Sequence, residues 1–467
     1  MEFLVVGLNH RTSPLDVREK LTLTKSQFPQ ALEDMAEYGV PGVILCTCNR
    51  SEFYALEPAI PAGAVESSSS KSGLSPTASG EDRIKQFLVD KFGISLLNVD
   101  RFLYVRRERD CIHHLFRVAS SLDSMILGEE QIIGQVREAF DFANQLGNLP
   151  GSLSFLFQRA LRVGRRVRRE TGIGRNALSV SRACVELAKN ALGDLKGRRA
   201  MVLGAGDAGE LAAQVLSRTG VSQIIVTNRT YQRALDLAQE LSGQAIPFQD
   251  FPEALQHSDI VIGCTGSPGY VLEASAVRTA MAARPDQPLF LLDIAVPRDI
   301  DPEAGNIENV FLHDVDDLES VSEASRLEKE EEARCAEDVV NSESELFLEW
   351  WRALEVLPTV ISLRHKADQI RERELNKTLK RLNGKLSPEE LGSIDAMTQA
   401  IVNKLLHEPT LFLKNRPSSP ELALAKELFG LSSSLPPGKI DAGLSAETLE
   451  ETPNLDPYEE SEQEPEQ

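Results

Sequence analysis

The feature that most constrains the fold is a glycine-rich turn between an apolar strand and a helix near the middle of the chain. A strand is predicted at 199–203, a helix at 210–218 and a second strand at 224–227. The turn between the first strand and the helix reads Gly204-Ala205-Gly206-Asp207-Ala208-Gly209. In such a turn the first two glycines let a pyrophosphate approach the helix N-terminus, and the third lets helix and strand pack closely. The pattern predicts a Rossmann-like domain that binds a dinucleotide.

The end of the second strand indicates which dinucleotide is bound. An NAD site usually places Asp or Glu there for the ribose 2′-hydroxyl, whereas this chain has Asn228-Arg229-Thr230. An arginine with small polar neighbours suits a 2′-phosphate, so the predicted cofactor is NADPH. Two further apolar strands, near 259–263 and 289–293, end in small and polar residues, as expected beside a ligand crevice.

Bulk properties narrow the class of protein. The chain has 467 residues, enough for several domains, and carries a net charge of -21, which argues against a general nucleic-acid binder. No run approaches 18 apolar residues, so no transmembrane helix is expected. The N-terminus enters a strand without a basic leader, which predicts a cytoplasmic location.

A second candidate site lies near the N-terminus, in Cys46-Thr47-Cys48-Asn49-Arg50, directly after the apolar run 43–45. Cys48 is a candidate nucleophile, and the planar guanidinium of Arg50 can hold a carboxylate or phosphate. The alternatives are a buried, inert thiol or a redox or metal pair with Cys46. Because no second Cys or His pair stands at zinc spacing, no metal site is predicted.

Residues 110–119 are predicted to form a packed helix, from the apolar spacing of Ile112, Leu115, Phe116 and Ala119, with Asp110 as its N-cap. His114 lies opposite that stripe. It is either a functional histidine or a histidine on the surface or a second packed face.

A later helix places Gln131 and Gln135 on one face, which suits a polar substrate or solvent. The helix at 156–169 is rich in arginine, and these side chains either meet RNA phosphates or pair with carboxylates elsewhere in the protein.

The C-terminal third is predicted to be helical. From Val315 to Leu357 there is no Gly or Pro, which predicts one helix of about 65 Å, ended by Pro358. The whole chain then divides as follows: a catalytic α+β domain at 1–155 with a mobile insertion at 61–80, a connecting Arg-rich helix at 156–178, the NADP-binding domain at 179–312, a long spinal helix at 313–357, an all-α dimerisation domain at 358–430 and an acidic disordered tail at 431–467. The predicted fold class is multidomain α/β.

Taken in order, the motifs resemble the glutamyl-tRNA reductase family. They comprise Gly7-Leu8-Asn9-His10-Arg11-Thr12, Thr47-Cys48-Asn49-Arg50-Ser51-Glu52, His114-Leu115, Asp123-Ser124, Gly128-Glu129-Glu130-Gln131-Ile132, Gly134-Gln135, the glycine turn, Asn228-Arg229-Thr230 and Asp293-Ile294-Ala295-Val296-Pro297-Arg298. The chain departs from the family at Glu130, where proline is usual, and at Ser121, where glycine is usual. Both departures concern the backbone near the predicted site.

The resemblance implies a V-shaped homodimer that reduces glutamyl-tRNA with NADPH to glutamate 1-semialdehyde, the first step of tetrapyrrole synthesis and so of porphyrins and chlorophyll. Its macromolecular partner is tRNA(Glu) charged with glutamate. A glutamate-1-semialdehyde aminomutase, which acts next on the product, is a further candidate partner.

The resemblance also implies roles for individual residues. Cys48 forms a glutamyl thioester, and His114 is important for activity through proton transfer or positioning. The residues expected to hold the substrate are Thr47, Asn49, Arg50, Ser124, Glu129, Glu130, Gln131 and Gln135. Two alternative functions remain: another NADP-dependent oxidoreductase of the shikimate dehydrogenase type, and a non-catalytic scaffold that binds NADPH or RNA.

Overall fold

The computed structural model describes residues 2–57, 78–95, 99–174, 180–204, 207–318, 330–382, 386–415 and 419–431. The chain forms two compact units, Met1–Ser344 and Glu345–Gln467. In the described parts of the chain, no helix is both long enough and apolar enough to span a membrane.

The first part of unit 1 is built on an antiparallel sheet with strand order β2-β3-β1-β4. The strands are β1 (Glu2–Asn9), β2 (Gly42–Cys46), β3 (Arg50–Glu57) and β4 (Tyr104–Arg107). The surrounding helices are α1 (Leu15–Arg18), α2 (Phe28–Glu37), α3 (Gly80–Phe92), α4 (Glu108–Ala119), α5 (Gln131–Gln145) and α6 (Gly151–Glu170). Helices α3 and α4 pack on β1, while α2 and α5 pack on β2. Every residue of β3, and every residue of β1 after Glu2, is buried, so both faces of these central strands are covered.

Strand register brings two motifs of the sequence together. Strand β1 pairs with β3 so that Asn9 lies opposite Arg50, and the His10 amide donates to the Asn49 carbonyl at 2.9 Å. The loop after β1 and the loop that carries Cys48 consequently lie side by side.

The second part of unit 1 is a parallel sheet with order β10-β9-β8-β5-β6-β7, which confirms the predicted doubly wound fold. Its strands are β5 (Arg199–Leu203), β6 (Gln223–Thr227), β7 (Gln244–Ile246), β8 (Ile260–Gly263), β9 (Leu289–Asp293) and β10 (Val310–Asp314). Its helices are α7 (Val180–Leu192), α8 (Asp207–Ser217), α9 (Tyr231–Glu240), α10 (Phe251–Leu255) and α11 (Ala274–Ala282). The strand order reverses between β5 and β8, where such sheets bind their ligands.

The prediction for the long helix is wrong at both ends. Residues 315–317 form a turn, and Val315 and Leu318 pack in an apolar core of the parallel sheet. The described helix α12 runs from Glu330 to Leu382 and contains Pro358 in its interior. A proline there removes one backbone hydrogen bond at a cost of about 3 kcal/mol, but the buried side chains of Val356 and Val360 on either side stabilise the helix enough to continue.

Unit 2 contains the later part of α12 together with α13 (Pro388–Asn415) and α14 (Ser419–Leu428). Its apolar core joins Val356 and Val360 to Leu413, Leu422 and Ala425. Lys366 caps the end of α14 by donating to the carbonyls of Phe429 and Gly430, at 2.7 and 2.8 Å. The unit is thus the helical bundle that the sequence predicts.

Some predictions fall outside the described residues. The insertion predicted at 61–80 is described only at 78–80, where Ser79 accepts a hydrogen bond from the Asp82 amide at 3.1 Å and caps α3. The tail from 432 onward lies outside the described residues.

Helix α4 begins at Glu108, so Asp110 lies in its first turn and the prediction of Asp110 as N-cap is wrong.

Several arginines of helix α6 pair with carboxylates, and two of them share Glu343. Glu343, a buried residue in α12, accepts from Arg159 at 3.0 Å and also pairs with Arg166. Arg166 pairs in addition with Glu170. For these two arginines the geometry favours the ion-pair alternative over contact with RNA.

Candidate active site

Cys48 lies at the tip of the hairpin between β2 and β3. The hairpin is closed by a hydrogen bond from the Thr47 amide to the Arg50 carbonyl at 2.8 Å. Within the loop, the Asn49 amide donates to the Thr47 hydroxyl at 3.2 Å, and the Cys48 carbonyl accepts from Arg18 at 3.1 Å. The loop therefore holds the thiol on a backbone that is fixed at three points.

Cys48 faces a cavity of about 770 Å³ that lies between the two sheets of unit 1. Helix α5 supplies much of its wall, including Gln131 and Gln135, and Glu130 stands just before that helix. Ile294, the residue after strand β9, lines the same cavity. The thiol and the carboxyl edge of the parallel sheet therefore open onto one space of a size that suits a small substrate.

The electrostatics of the cavity keep the ligand-free thiol protonated. Burial and then the carboxylate of Glu129 raise the pKa of Cys48 to about 12, although Arg18 and Arg50 oppose the shift. Burial also raises the pKa of Glu129 to about 7, against Arg50 and Arg168. Because the thiolate is the nucleophilic form, the proton of Cys48 has to leave as a bond to carbon forms.

Cys46 has a different environment. Its Sγ lies 3.4 Å from the Ser51 hydroxyl and accepts from the Leu23 amide at 3.4 Å. Burial raises the pKa of Cys46 as well. This thiol packs into the protein through local hydrogen bonds, which argues for a structural role.

Arg50 lies in a buried network behind the Cys48 loop. Its side chain is 1% exposed, and Nη1 contacts Glu52 Oε1 at 2.7 Å and Asp123 Oδ2 at 3.2 Å. Its Nη2 donates to the Asp123 carbonyl. The guanidinium predicted to hold substrate is thus engaged by internal partners, and Asp123 in turn contacts the partly exposed Arg11 at 3.1 Å.

His114 belongs to the same network. Its Nε2 lies 2.8 Å from Glu52 Oε1, and its ring packs edge-on against Tyr104. Glu52 is fully buried and also accepts from the hydroxyls of Tyr54, at 2.6 Å, and Tyr104. His114 is therefore a buried histidine on a second packed face, and it is not among the residues lining the Cys48 cavity.

Two buried polar groups beside the loop have no hydrogen-bond partner among the described residues. They are the side-chain oxygen of Asn49 and both ring nitrogens of His10. Burial, with help from Arg50 and Arg11, lowers the pKa of His10 to about 4, so its ring is neutral. Buried polar atoms without partners are costly, and a polar ligand would satisfy these. His10 was not predicted as a site residue, although the pairing of its strand with the Cys48 hairpin could have revealed it.

The loop 120–130 explains one departure from the family pattern. Ser121 has a positive φ of 60°, a conformation that favours glycine. Its hydroxyl donates to the Glu129 carbonyl at 2.6 Å and accepts from Arg168 at 2.9 Å, which stabilises the serine in this conformation. The neighbouring Ser124 and Glu129 are both buried.

A second cavity, of about 200 Å³, lies at the carboxyl ends of β5, β6 and β8. Its wall is formed by Gly204, Asn228, Arg229, Arg233, Cys264, Thr265, Gly266 and Ser267. Arg229 donates to the Ser267 hydroxyl at 2.7 Å, which orients its guanidinium. Arg233 was not predicted, although its place four residues after Arg229, on the first turn of α9, is a signal that the sequence contains.

Glycines make room for a ligand at this edge. Gly204 has a φ of 113°, and a Cβ on it would lie 2.9 Å from the Cys264 carbonyl oxygen. A Cβ on Gly209 would lie 2.1 Å from Cys264 Sγ, so the third glycine of the motif is required for close packing of α8. Ala205 and Gly206, and the side chains of Asp207 and Ala208, lie outside the described residues. Gly204 and Gly209 therefore allow the close backbone approach that a dinucleotide-binding turn requires.

The structure therefore gathers the predicted residues into three groups. Cys48, Glu130, Gln131 and Gln135 share the large cavity. Asn228 and Arg229 share the small one, with the Asn228 amide donating to the Thr230 carbonyl at 3.1 Å. Arg50 and His114 lie in the buried network behind the loop.

Comparisons with known proteins cover almost the whole described chain. Residues 6–171 match the family model for the N-terminal domain of glutamyl-tRNA(Glu) reductase, 186–321 match shikimate/quinate 5-dehydrogenase, and 335–431 match the dimerisation domain of glutamyl-tRNA(Glu) reductase. The middle match and the sheet order together make residues 186–321 an NAD(P)-binding domain.

Full-length relatives agree with these matches. A glutamyl-tRNA reductase of Thermodesulfovibrio yellowstonii is 39% identical over 438 residues, covering 93% of this chain and 99% of the relative. One from Desulforudis audaxviator is 41% identical, covering 90% and 91%. A solved structure, glutamyl-tRNA reductase from Methanopyrus kandleri, is 31% identical, covers 92% of this chain and 98% of its own, and superposes with a TM-score of 0.46. The predicted resemblance is confirmed, and the chain belongs to the glutamyl-tRNA reductase family.

Proposed function

We propose that the protein reduces the glutamyl group of glutamyl-tRNA to glutamate 1-semialdehyde with NADPH, the first step of tetrapyrrole synthesis. Besides family membership, the main support is structural: Cys48 and Ile294 line one cavity. An acyl group held on the thiol would lie in the space onto which the NAD(P)-binding sheet opens.

The chemistry has two stages. Cys48 Sγ attacks the carbonyl carbon of the aminoacyl ester, its proton passes to the ribose oxygen, and tRNA leaves while a thioester forms. A nicotinamide cofactor held by Gly204, Asn228 and Arg229 would supply a hydride to the thioester carbonyl. The aldehyde would then be released as the Cys48 thiolate leaves and takes up a proton. Reduction has to outrun hydrolysis of the thioester to glutamate, because Cys48 is only partly buried and opens onto the cavity.

The residues around Cys48 can recognise the glutamyl group. The unpaired oxygen of Asn49 can accept from the substrate ammonium, and His10 can donate to an oxygen. The side-chain carboxylate of the substrate can replace that of Asp123 at Arg50, with Thr47, Ser124 and Glu129 beside it. The cavity wall that would meet the rest of the glutamyl-tRNA end contains Glu130, Gln131 and Gln135.

His114 is proposed to position the loop. It contacts Glu52, and Glu52 contacts Arg50, the residue that ends the Cys48 hairpin. The chain of contacts leads from His114 to the loop backbone, whereas direct proton transfer would need the ring in the cavity.

The proposed function is tested by incubating purified protein with glutamyl-tRNA labelled on glutamate. Labelled semialdehyde should form with NADPH and form far more slowly with NADH. A shikimate dehydrogenase-like enzyme would instead oxidise a cyclic hydroxy acid and leave glutamyl-tRNA intact. A scaffold would bind the cofactor or RNA and give no aldehyde.

Arg233 is expected to select NADPH over NADH together with Arg229, because both line the small cavity. Replacing Arg233 with glutamine should weaken NADPH binding about 10- to 100-fold, the loss of one charge-assisted hydrogen bond, and leave NADH binding unchanged. Titration of the protein into NADPH or NADH, followed by the fluorescence of the reduced nicotinamide, would measure both affinities. Arg278→Gln, at an exposed position on α11, is the matched control, and an equal loss of NADH affinity would contradict the proposed role.

The protein is proposed to be a homodimer through unit 2. Met397, Ile401 and Leu405 recur at intervals of four on α13 and are all exposed, so they form one apolar stripe on the helix. Ile401→Glu should produce monomers in sedimentation equilibrium, because a charge in an apolar interface loses its solvation. Asn403→Glu adds the same charge on the opposite face and should remain dimeric. A dimeric Ile401→Glu protein would show that another surface forms the contact.

A substrate that is an aminoacylated tRNA also supports a cytoplasmic location. The labile aldehyde product supports a complex with the aminomutase that consumes it, which co-sedimentation of the two purified enzymes would reveal.

A further inference from the structure

A short segment connects the Cys48 loop to the NAD(P)-binding domain. Helix α1 and the turn after it, residues 15–21, follow β1 and lie between the two sheets. Leu15 packs in the apolar core that contains Val202 and Leu292 of the parallel sheet. The segment thus lies within the sequence of the catalytic domain, but Leu15 packs into the core of the NAD(P)-binding domain.

Arg18 contacts both sides from this segment. Its side chain is only 2% exposed. Nη1 donates to the Cys48 carbonyl at 3.1 Å, while Nη2 forms an ion pair with Asp316 in the turn after β10. A buried cation needs a counter-charge, and Asp316 from the NAD(P)-binding domain supplies it. The guanidinium that fixes the Cys48 backbone therefore depends on a residue of the other domain.

A second ion pair crosses the same boundary without contacting the loop. Arg298 binds Glu19 through its backbone amide at 2.7 Å and through Nε and Nη2 at 3.0 and 3.1 Å. Both pairs join α1 and its following turn to the NAD(P)-binding domain, but only Arg18 reaches Cys48. Removing the Arg298–Glu19 pair should therefore affect domain docking alone, whereas removing the Asp316–Arg18 pair should affect both docking and the Cys48 thiol.

We propose that the Asp316–Arg18–Cys48 contact couples docking of the NAD(P)-binding domain to the reactivity of the Cys48 thiol, so that Arg18 is a positioning residue for thioester formation. The proposal rests on the role of Cys48 in the proposed function. When the domain is docked, Asp316 holds the Arg18 guanidinium against the Cys48 carbonyl. The positive charge of Arg18 then favours the Cys48 thiolate. When Asp316 is lost or moves away, the loop loses that anchor.

The charges that face the thiol support this coupling. Glu129 opposes the thiolate, whereas Arg18 and Arg50 favour it. Arg50 is held by Glu52 and Asp123 within the catalytic domain, so it does not depend on the other domain. Arg18 is the favourable charge whose position depends on docking.

The experiment measures alkylation of Cys48 by iodoacetamide in the full-length protein, by peptide mass spectrometry between pH 6 and 10. Exposed Cys335 serves as internal reference in each sample. Asp316→Asn should slow alkylation of Cys48 about 10-fold relative to Cys335 and shift its pH profile upward, a change equivalent to about one pKa unit. Asp316→Glu should restore most of the rate. Arg298→Gln should lower Tm but leave the Cys48 profile within about twofold of the wild type, since the Arg298–Glu19 pair shares no partner with the Asp316–Arg18 pair.

Equal profiles for Asp316→Asn and wild type would overturn the proposal. Equal slowing by Arg298→Gln would also overturn it, because loose docking alone would then explain the effect. If Asp316→Asn melts below the assay temperature, Arg18→Lys tests the same link. Lysine keeps the charge but lacks the planar fork that places one N–H on the Cys48 carbonyl and another on Asp316. A wild-type profile in that variant would overturn the proposal. Alkylation measures the reactivity of the Cys48 thiol whether or not this thiol is the nucleophile. The proposed function is tested separately, because aldehyde production by the Cys48→Ser protein would contradict the role of Cys48 as the nucleophile.

Discussion

Replacing Cys48 with serine is expected to abolish both thioester and aldehyde formation, with a fall in rate of about 1,000-fold or more, as when other nucleophiles are removed. A serine hydroxyl in this loop would have to lose its proton beside the carboxylate of Glu129, the group that already disfavours the Cys48 thiolate. The measurement is a single turnover with glutamyl-tRNA labelled on glutamate. Without NADPH, wild-type protein should retain label that hydroxylamine removes, and the variant should retain none.

Cys46→Ser is the matched control for this experiment. Both thiols lie in one five-residue stretch, but Cys46 contacts Ser51, Leu21 and Leu23 within the protein. Its replacement should leave the single-turnover rate within a few-fold of the wild type. Full aldehyde formation by Cys48→Ser would mean that hydride reduces the ester directly and that Cys48 is structural.

The parallel sheet and its ligand edge could be predicted from the sequence because the signals are local. The glycine turn, the strand before it and the polar residues at the strand ends lie within a few residues of one another. Their spatial consequence, a cavity between β5, β6 and β8, follows from the rule that ligands bind at the carboxyl ends of such strands. Arg233 lies beyond the strand end, in the first turn of α9, so a rule about strand ends does not predict it.

The long helix shows the limit of local rules. Pro358 is a strong helix terminator by itself, but the bundle core around Val356 and Val360 outweighs the lost hydrogen bond. That packing depends on Leu413 and Leu422, which are more than 50 residues away in the sequence. Tertiary burial of this kind is not visible in the spacing of charges and apolar residues.

The environment of the candidate nucleophile could not be predicted either. The sequence places Arg50 two residues from Cys48, which suggests a guanidinium that is available to substrate. In the folded protein, strand pairing turns Arg50 towards Glu52 and Asp123. His114 is likewise buried against Glu52, at a distance of 62 residues along the chain. Contacts made by strand register and by helix packing, and not by sequence spacing, decide which charges meet.

Glu52 is expected to be the residue on which the stability of the catalytic domain depends most. It is fully buried and has four polar partners, namely Arg50, Tyr54, Tyr104 and His114. Replacing it with glutamine leaves the buried charge of Arg50 with one carboxylate partner, Asp123. Loss of one partner from a buried ion pair costs about 3–5 kcal/mol, so the melting transition of this domain should fall by about 6–20 °C in calorimetry.

The effect of Glu52→Gln should depend on pH in a defined direction. Burial opposes ionisation of Glu52, but Arg50 and His114 outweigh it and hold its pKa well below the usual range. A carboxyl group with a lowered folded-state pKa contributes stability above its unfolded pKa of about 4.3, and this contribution disappears as the pH falls towards the folded value. The difference in unfolding free energy between wild type and variant should therefore be full at pH 7 and shrink steadily below about pH 5. Glu331→Gln, which removes an exposed pair with Arg334, should leave the melting transition close to that of the wild type at any pH. A similarly small effect of Glu52→Gln at pH 7 would mean that Asp123 alone satisfies Arg50 and that the network does not hold the Cys48 hairpin in place.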